Sequence, residues 1–289
     1  MNREKINDQS ANKEELLIDV ERVLASKNPA LLKYIPGFMV AFFKRLINQD
    51  GINKLIINNK NLRGVEFGEG VLRELGATYS TIGLEDISMD GRYLFVANHP
   101  LGGMDGIAFL CAVGQRFPDI KFPVNDILLN IRNLDNIFLP INKHGIRAGV
   151  HSKSAADLLN DAFASDAQVL FFPAGLVSRK QKGGIIKDLE WKKYFIKKAI
   201  LYKRDIIPVH IDGKNTNFFY NLARWRKRLR IKSNIEMLLL PSEMFKQKGQ
   251  NLTLRFGQPI AWQEFANEKD ALRAAEKVKE IVYGLPKKS

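Results

Sequence analysis

The chain has 289 residues and only one cysteine, Cys111, so no intrachain disulfide is available and a reducing compartment is the expected home. Histidine is scarce at four residues. No His-Glu-x-x-His or Cys-x-x-Cys spacing occurs, so no metal site and no bound cofactor are expected. The absence of a Gly-x-Ser-x-Gly elbow argues against a serine hydrolase. No apolar run approaches the ~20 residues of a membrane span. The first twelve residues are mostly polar, show no signal segment and read as a disordered tail. These absences together place the protein in the cytoplasm or on the cytoplasmic face of a membrane, peripheral and not crossing it.

What is plentiful is positive charge. The net charge is +14, and the segment Arg179 to Lys232 holds seventeen Lys/Arg against four acids. About a fifth of the chain thus carries nearly the whole excess. Such a patch attracts phosphates and acidic partners: nucleic acid, anionic lipid, coenzyme A or an acidic carrier protein. Composition is otherwise ordinary globular material, 45% hydrophobic and 26% charged.

Periodicity predicts helices over 13–27, 36–48, 50–60 and 62–76, which make 13–84 a helical region packed on the remainder. The stretch 30–48 is unusually apolar and aromatic. It reads equally as a membrane-lying helix or as a helix packed on the core. From 85 to 289 strands and helices alternate. Strands are expected at 93–97, 120–124, 137–141, 168–172, 206–211, 235–240 and 252–256. Helices are expected at 104–116, 150–164, 188–203, 216–229 and 268–283. This alternation predicts an α/β fold with a mostly parallel central sheet flanked by helices, preceded by the N-terminal helical extension. Pro208 suggests an edge position or a bulge for its strand.

The most informative motif is Asn98-His99-Pro100-Leu101-Gly102-Gly103-Met104-Asp105, directly after the apolar run Tyr93–Ala97. A strand delivers His99 to a sheet edge, the two glycines permit a tight turn, and Asp105 can fold back onto the imidazole. With no nucleophile nearby, the pair reads as a base that activates a substrate's own hydroxyl. His144, in a polar loop, His151, at a helix start, and His210, in a strand, read as non-catalytic. A second turn, Phe172-Pro173-Ala174-Gly175, leads to Ser178 and Arg179. In a parallel sheet it belongs beside the His99 loop, with Ser178 and Arg179 as donors to an anion or carbonyl. Gly183 and Gly184 then suggest a flexible covering loop. Residues 216–232 set Phe218, Phe219, Tyr220 and Trp225 among arginines and lysines, a composition suited to a membrane interface or to single-stranded nucleic acid.

These residues resemble the phospholipid/glycerol acyltransferase (PlsC-like) superfamily, and within it the hemolysin-like branch that includes ornithine- and glycine-lipid O-acyltransferases. The matches run in order over about 85–285: Asn98-His99 with Asp105, Phe172-Pro173-Ala174-Gly175, Ile206-Ile207-Pro208-Val209 and Phe256-Gly257-Gln258-Pro259-Ile260. Three departures stand out. Five residues, not four, separate His99 from Asp105. Ala174 and Leu176 stand where glycerophosphate-specific members carry Glu and Thr. Leu139-Pro140-Ile141-Asn142-Lys143 lacks the second-motif arginine. The resemblance implies a transferase that moves a fatty acyl chain from acyl-carrier protein or acyl-CoA to a lyso-lipid hydroxyl. An amino-acid lyso-lipid is expected rather than lysophosphatidic acid. His99 and Asp105 would be catalytic, and Asn98, Gly102, Gly103, Lys143, Pro173, Ala174, Gly175, Ser178 and Arg179 substrate-binding. The partners implied are the lyso-lipid, the thioester donor and an anionic membrane surface. A nucleic-acid partner would explain the charge but not the His99–Asp105 turn, and is not expected.

Overall fold

The computed structural model describes residues 36–141, 154–232, 234–268 and 270–285, together with Asp19 and Glu21. The expected helix 13–27, apart from those two residues, the stretch 30–35, and Lys143, His144 and His151 lie outside the described residues. The first elements are α1 (Gly37–Leu46), α2 (Gln49–Asn58), α3 (Gly64–Glu74), β1 (Thr78–Ile82), β2 (Tyr93–Ala97) and α4 (Gly103–Arg116). There follow β3 (Ile120–Val124), β4 (Phe138–Pro140), α5 (Ala155–Ala164), β5 (Gln168–Phe171), β6 (Arg179–Lys180), β7 (Ile186–Lys187) and α6 (Tyr194–Tyr202). The chain continues through β8 (Asp205–Ile211), α7 (Asn217–Arg228), α8 (Leu240–Lys246), β9 (Asn251–Phe256), α9 (Gln263–Ala266) and α10 (Ala271–Gly284).

Seven strands form the central sheet in the order β1-β9-β8-β2-β5-β3-β4. The strands β8, β2, β5, β3 and β4 run parallel, while β9 pairs antiparallel with β8 and parallel with β1. Side chains alternate between the faces. Phe95, Ala97, Leu170, Ile207 and Val209 join the core under α2, α3 and α4. Leu94, Val96, Val169 and Ile206 join the core under α5, α6 and α10. With both faces covered, β2 is apolar throughout, as central parallel strands are. The expected α/β architecture is therefore the one observed.

Two local expectations meet a different outcome, and a third resolves into one of its two alternatives. Pro208 sits in an interior strand, and of the edge and the bulge that its proline suggested the structure shows the bulge: Gly257, Gln258 and Pro259 stand opposite Ile207 and Pro208, between the Val209–Phe256 and Ile206–Ile260 pairs. The ladder between β8 and β9 ends at Val209, and Pro208 faces the interruption beyond it. There Gly257 donates to the Pro208 carbonyl at 2.8 Å, and Ile206 and Ile260 exchange two bonds. A residue without an N–H is tolerated at that gap. The expected strand 235–240 is instead a 3₁₀ turn, Ile235–Leu239, running into α8 with Pro241 in its first turn, where no N–H is required. Residues 78–82, within the region read as helical, form the edge strand β1. The glycines of α3 mark close packing: a Cβ on Gly68 would lie 2.5 Å from Cys111 Sγ, and one on Gly70 2.1 Å from the Asn59 side chain.

Candidate active site

The carboxyl ends of β2, β5 and β8 lie side by side, and the site is built on them. Asn98 follows β2 and is buried. Its amide donates to the Ile211 carbonyl at 2.9 Å and accepts from the Ile211 N–H at 2.7 Å. Asn98 therefore clamps the ends of β2 and β8, and that amide face is not open to a substrate. The next residue, His99, projects from the fixed end.

The turn from His99 to α4 depends on Gly102, whose φ of 102° and ψ of −89° exclude a residue with a side chain. Asp105 then falls in the first turn of α4. It is fully buried and brings an oxygen to His99 Nδ1 at 3.0 Å. The same carboxylate accepts from the N–H groups of Leu101 at 2.8 Å and Gly106 at 2.9 Å. These donors, at the start of a helix, fix the orientation of the carboxylate. Asp105 thus accepts from Nδ1–H and leaves Nε2 as the basic nitrogen. The His99 side chain is 16% exposed, enough for a reactant to reach it. The five residues between His99 and Asp105 are accommodated without loss of this hydrogen bond.

The second turn arrives where the parallel sheet predicts. Phe172, at the end of β5, stacks on the His99 imidazole with ring centroids 3.9 Å apart. Ser178 donates its N–H to the His99 carbonyl at 2.7 Å. The Ser178 hydroxyl points at Asp188, 2.5 Å away, so it is engaged inside the protein. Pro173 and Ala174 are buried, while Gly175 is exposed with a φ of +64°. Lys192 donates its N–H to the Pro173 carbonyl, and its ammonium stands over Gly175, 3.2 Å from where a Cβ would lie.

Arg179 differs most from expectation. Its guanidinium is buried, donates to the Val177 carbonyl and to Glu236 at 2.9 Å, and lies over the Phe219 ring. Glu236 is itself fully buried and also lies 2.8 Å from Arg226 Nε. Arg179 is therefore an internal tie between β6 and the segment before α8, and not the open donor its position suggested. The expected flexible covering loop is a short hairpin, β6 against β7, that turns through Gly183 and Gly184.

Three contributors lay beyond the sequence reading. Asp188 is fully buried and accepts from the His99 N–H at 3.3 Å and from Trp191 Nε1 at 2.9 Å. Burial pushes its carboxyl above the ordinary carboxylate range, while the bonds from Ser178 and Trp191 pull the other way. Asn215 reaches across from the loop after β8 to the carbonyls of Pro100 and Leu101. Tyr283 of α10 accepts the Asp188 N–H at 2.8 Å. Only the spacing Asp188-x-x-Trp191 was a local signal, and nothing in it names His99 as the partner.

A polar pair at a strand end serves many chemistries, and comparison with known proteins narrows them. The profile of an acyltransferase family matches residues 22–288. The chain belongs to that acyltransferase family. The lyso-glycine lipid O-acyltransferase of Bacteroides thetaiotaomicron is 46% identical over 270 residues, 93% of this chain and 97% of that protein. A protein of the same name from Phocaeicola vulgatus is 43% identical, over 93% of this chain and 95% of its own length. The crystal structure of the 1-acyl-sn-glycerophosphate acyltransferase PlsC from Thermotoga maritima overlays with a TM-score of 0.44 at 18% identity, covering 86% of this chain and 92% of that one. As an acyltransferase the chain uses an acyl donor. Among the described residues no group of three or more His, Cys, Asp or Glu could hold a metal ion. No described helix is long and apolar enough to cross a membrane.

Proposed function

We propose that this acyltransferase moves a fatty acyl chain from a thioester, acyl-carrier protein or acyl-CoA, to the hydroxyl of a lyso-lipid with an amino-acid head group. The observation that carries this reading is the His99–Asp105 pair at the end of β2, in a chain 46% identical to a lyso-glycine lipid O-acyltransferase over nearly its full length. His99 Nε2 takes the proton from the acceptor hydroxyl as its oxygen attacks the thioester carbonyl. Asp105 holds the tautomer and stabilises the imidazolium. The tetrahedral intermediate expels the thiolate, which takes the proton back from His99, leaving an ester and a free thiol. Because the Leu101 N–H is committed to Asp105, oxyanion donors must come from Gly102, Gly103 or Met104 at the start of α4.

The acceptor's head group needs a cation, and Arg179 is not free to supply one. Lys192 is exposed, stands over Gly175 on the turn that carries Phe172, and makes no ion pair within the described residues. A single carboxylate matches this single ammonium better than a dianionic phosphate does. With palmitoyl-carrier protein and palmitoyl-CoA each offered as donor, kcat/KM is expected to be higher for lyso-glycine lipid than for lysophosphatidic acid. The reverse order would overturn the acceptor and leave the acyltransferase assignment standing. Lys192→Met is expected to raise the KM for lyso-glycine lipid about three- to tenfold and leave a neutral monoacylglycerol acceptor unaffected. An equal change for both acceptors would remove Lys192 from the head-group site.

A lyso-lipid acceptor places the enzyme at a membrane surface. Phe38 and Phe42 of α1 are 74% and 59% exposed, and Phe218 and Trp225 of α7 are 61% and 71% exposed. Leu46 of α1 packs against the cluster holding Phe219 and Tyr220, so the two helices share a small core and turn these aromatics outward. Arg224, Lys227, Arg228 and Arg230 are exposed beside them. Aromatic rings entering the interface with cations meeting phosphate is the expected mode. At about 1 kcal/mol per basic residue, four give reversible attachment. Sedimentation should show binding to phosphatidylglycerol vesicles that weakens in high salt, and reduced binding for Phe42→Ser with Trp225→Ser. Undiminished binding by that double variant would place the membrane contact elsewhere.

A further inference from the structure

We propose that Asp188 is a positioning residue for His99, a role that rests on His99 being the general base. Ser178 and Asp188 flank the hairpin made by β6 and β7, and between them they hold both backbone polar groups of His99. Ser178 donates its N–H to the His99 carbonyl at 2.7 Å, and Asp188 accepts the His99 N–H at 3.3 Å with either oxygen. The Ser178 hydroxyl closes the hairpin base by donating to Asp188 at 2.5 Å. Trp191 supplies a further donor, and Tyr283 fixes the Asp188 backbone from α10.

This carboxylate has no Lys or Arg partner among the described residues, although it is fully buried beside the apolar cluster around Trp191, Phe195 and Ala174. A buried carboxylate without a counter-ion is costly to keep unless donors converge on it. Here one of those donors is the backbone of the base itself. His99 is then held at three points. Asp105 fixes Nδ1, Phe172 fixes the ring plane, and Asp188 with Ser178 fixes the backbone on either side of the Cα from which the ring projects. Asp105 and Phe172 cannot set the position of Nε2 if the His99 peptide is free to shift. An error of about 1 Å in a reacting group costs on the order of 10²-fold in rate.

The test compares Asp188→Asn in two backgrounds, with palmitoyl thioesters as donors and lyso-glycine lipid as acceptor. The amide is nearly isosteric but presents an NH₂ to groups that are themselves donors. In the otherwise native enzyme, kcat should fall roughly 10- to 100-fold with both KM values within about twofold. In a His99→Ala background the same change should alter the residual rate by less than about twofold, because no base remains to be positioned. A merely structural Asp188 would lower the rate equally in both backgrounds or raise KM. Near-native kcat for folded Asp188→Asn, beside an inactive His99→Ala, would overturn this role and leave the general-base reading intact. An active His99→Ala would instead overturn the base itself. If Asp188→Asn does not fold, Ser178→Ala carries the test: it removes the hydroxyl that donates to Asp188 and approaches Tyr283, keeps the N–H bond to the His99 carbonyl, and should lower kcat several-fold at unchanged KM. Unchanged kcat in that variant would count against the proposal.

Discussion

His99→Ala and Asp105→Asn enzymes should each lose acyl transfer by about 10²–10⁴-fold, with KM for the acyl donor nearly unchanged. The two are not equivalent, and the difference tests the geometry. His99 contributes a partly exposed ring stacked on Phe172 and the proton-accepting Nε2. Its truncation removes chemistry and little else, so the unfolding midpoint should move by only a few degrees. Asp105 holds Nδ1 of His99 and also the N–H groups of Leu101 and Gly106. An amide there cannot accept all three. It either turns its NH₂ toward the imidazole, selecting the wrong tautomer, or toward a backbone donor, loosening the turn. Asp105→Asn should therefore lose both rate and stability, and His99→Ala mostly rate. Paired kinetics and thermal melts distinguish the outcomes. Turnover within tenfold of native by a folded His99→Ala enzyme would mean that another group takes the proton.

Legibility in the sequence followed the range of the interactions concerned. The His99 motif is local: strand, glycine turn and Asp105 lie within thirteen residues, and each step has a residue-level reason. The placement of Phe172 beside His99 needed only the rule that parallel strands carry sites at their carboxyl ends. The strand expected at 235–240 failed because an apolar run does not report that Glu236 is buried against Arg179 and Arg226. Strand β1, Thr78–Ile82, alternates exposed with half-buried residues at a sheet edge and offered no apolar run to find. Pro208 predicts an edge or a bulge, and the bulge is what stands opposite it; the residue type alone does not choose between the two. Arg179 and Asp188 were opaque for one reason: their partners are 57 and 89 residues away, and nothing local distinguishes a buried charge from a surface one.

Arg204 carries the same lesson into stability and should give the largest loss of any single arginine. It follows α6, where Lys203 adopts a left-handed conformation and turns the chain inward. The guanidinium is fully buried and makes no ion pair among the described residues. It donates to five backbone carbonyls instead: Nε to Phe163, one terminal nitrogen to Tyr93 and Ala167, the other to Ala162 and Ser165. Four of those carbonyls belong to the end of α5 and the residues just after it, the negative end of a helix dipole whose last carbonyls have no partner within the helix. Burial, with Arg92 nearby, pushes the Arg204 pKa down to about 10, so it stays charged at neutral pH. One side chain thus caps α5 and ties it to the first residue of β2. Arg204→Met fills much of the volume but takes a donor from each of the five carbonyls, of which Phe163 keeps Arg92 and Ala162 keeps the Ser165 hydroxyl, an expected cost of about 3–5 kcal/mol. For a chain of this size that lowers the melting midpoint by roughly 5–8 °C. Arg204→Lys keeps the charge but offers a compact ammonium where a planar fork is required, so it should recover only part of the loss. Tyr93 opens β2 and His99 lies two residues past its end, six residues on and up to about 20 Å away along the chain. Turnover per folded molecule should consequently stay near native in both variants below their melting transitions. A melting midpoint for Arg204→Met within about 1 °C of native would show that water or local rearrangement satisfies the five carbonyls, and that the arginine is not what joins α5 to the sheet.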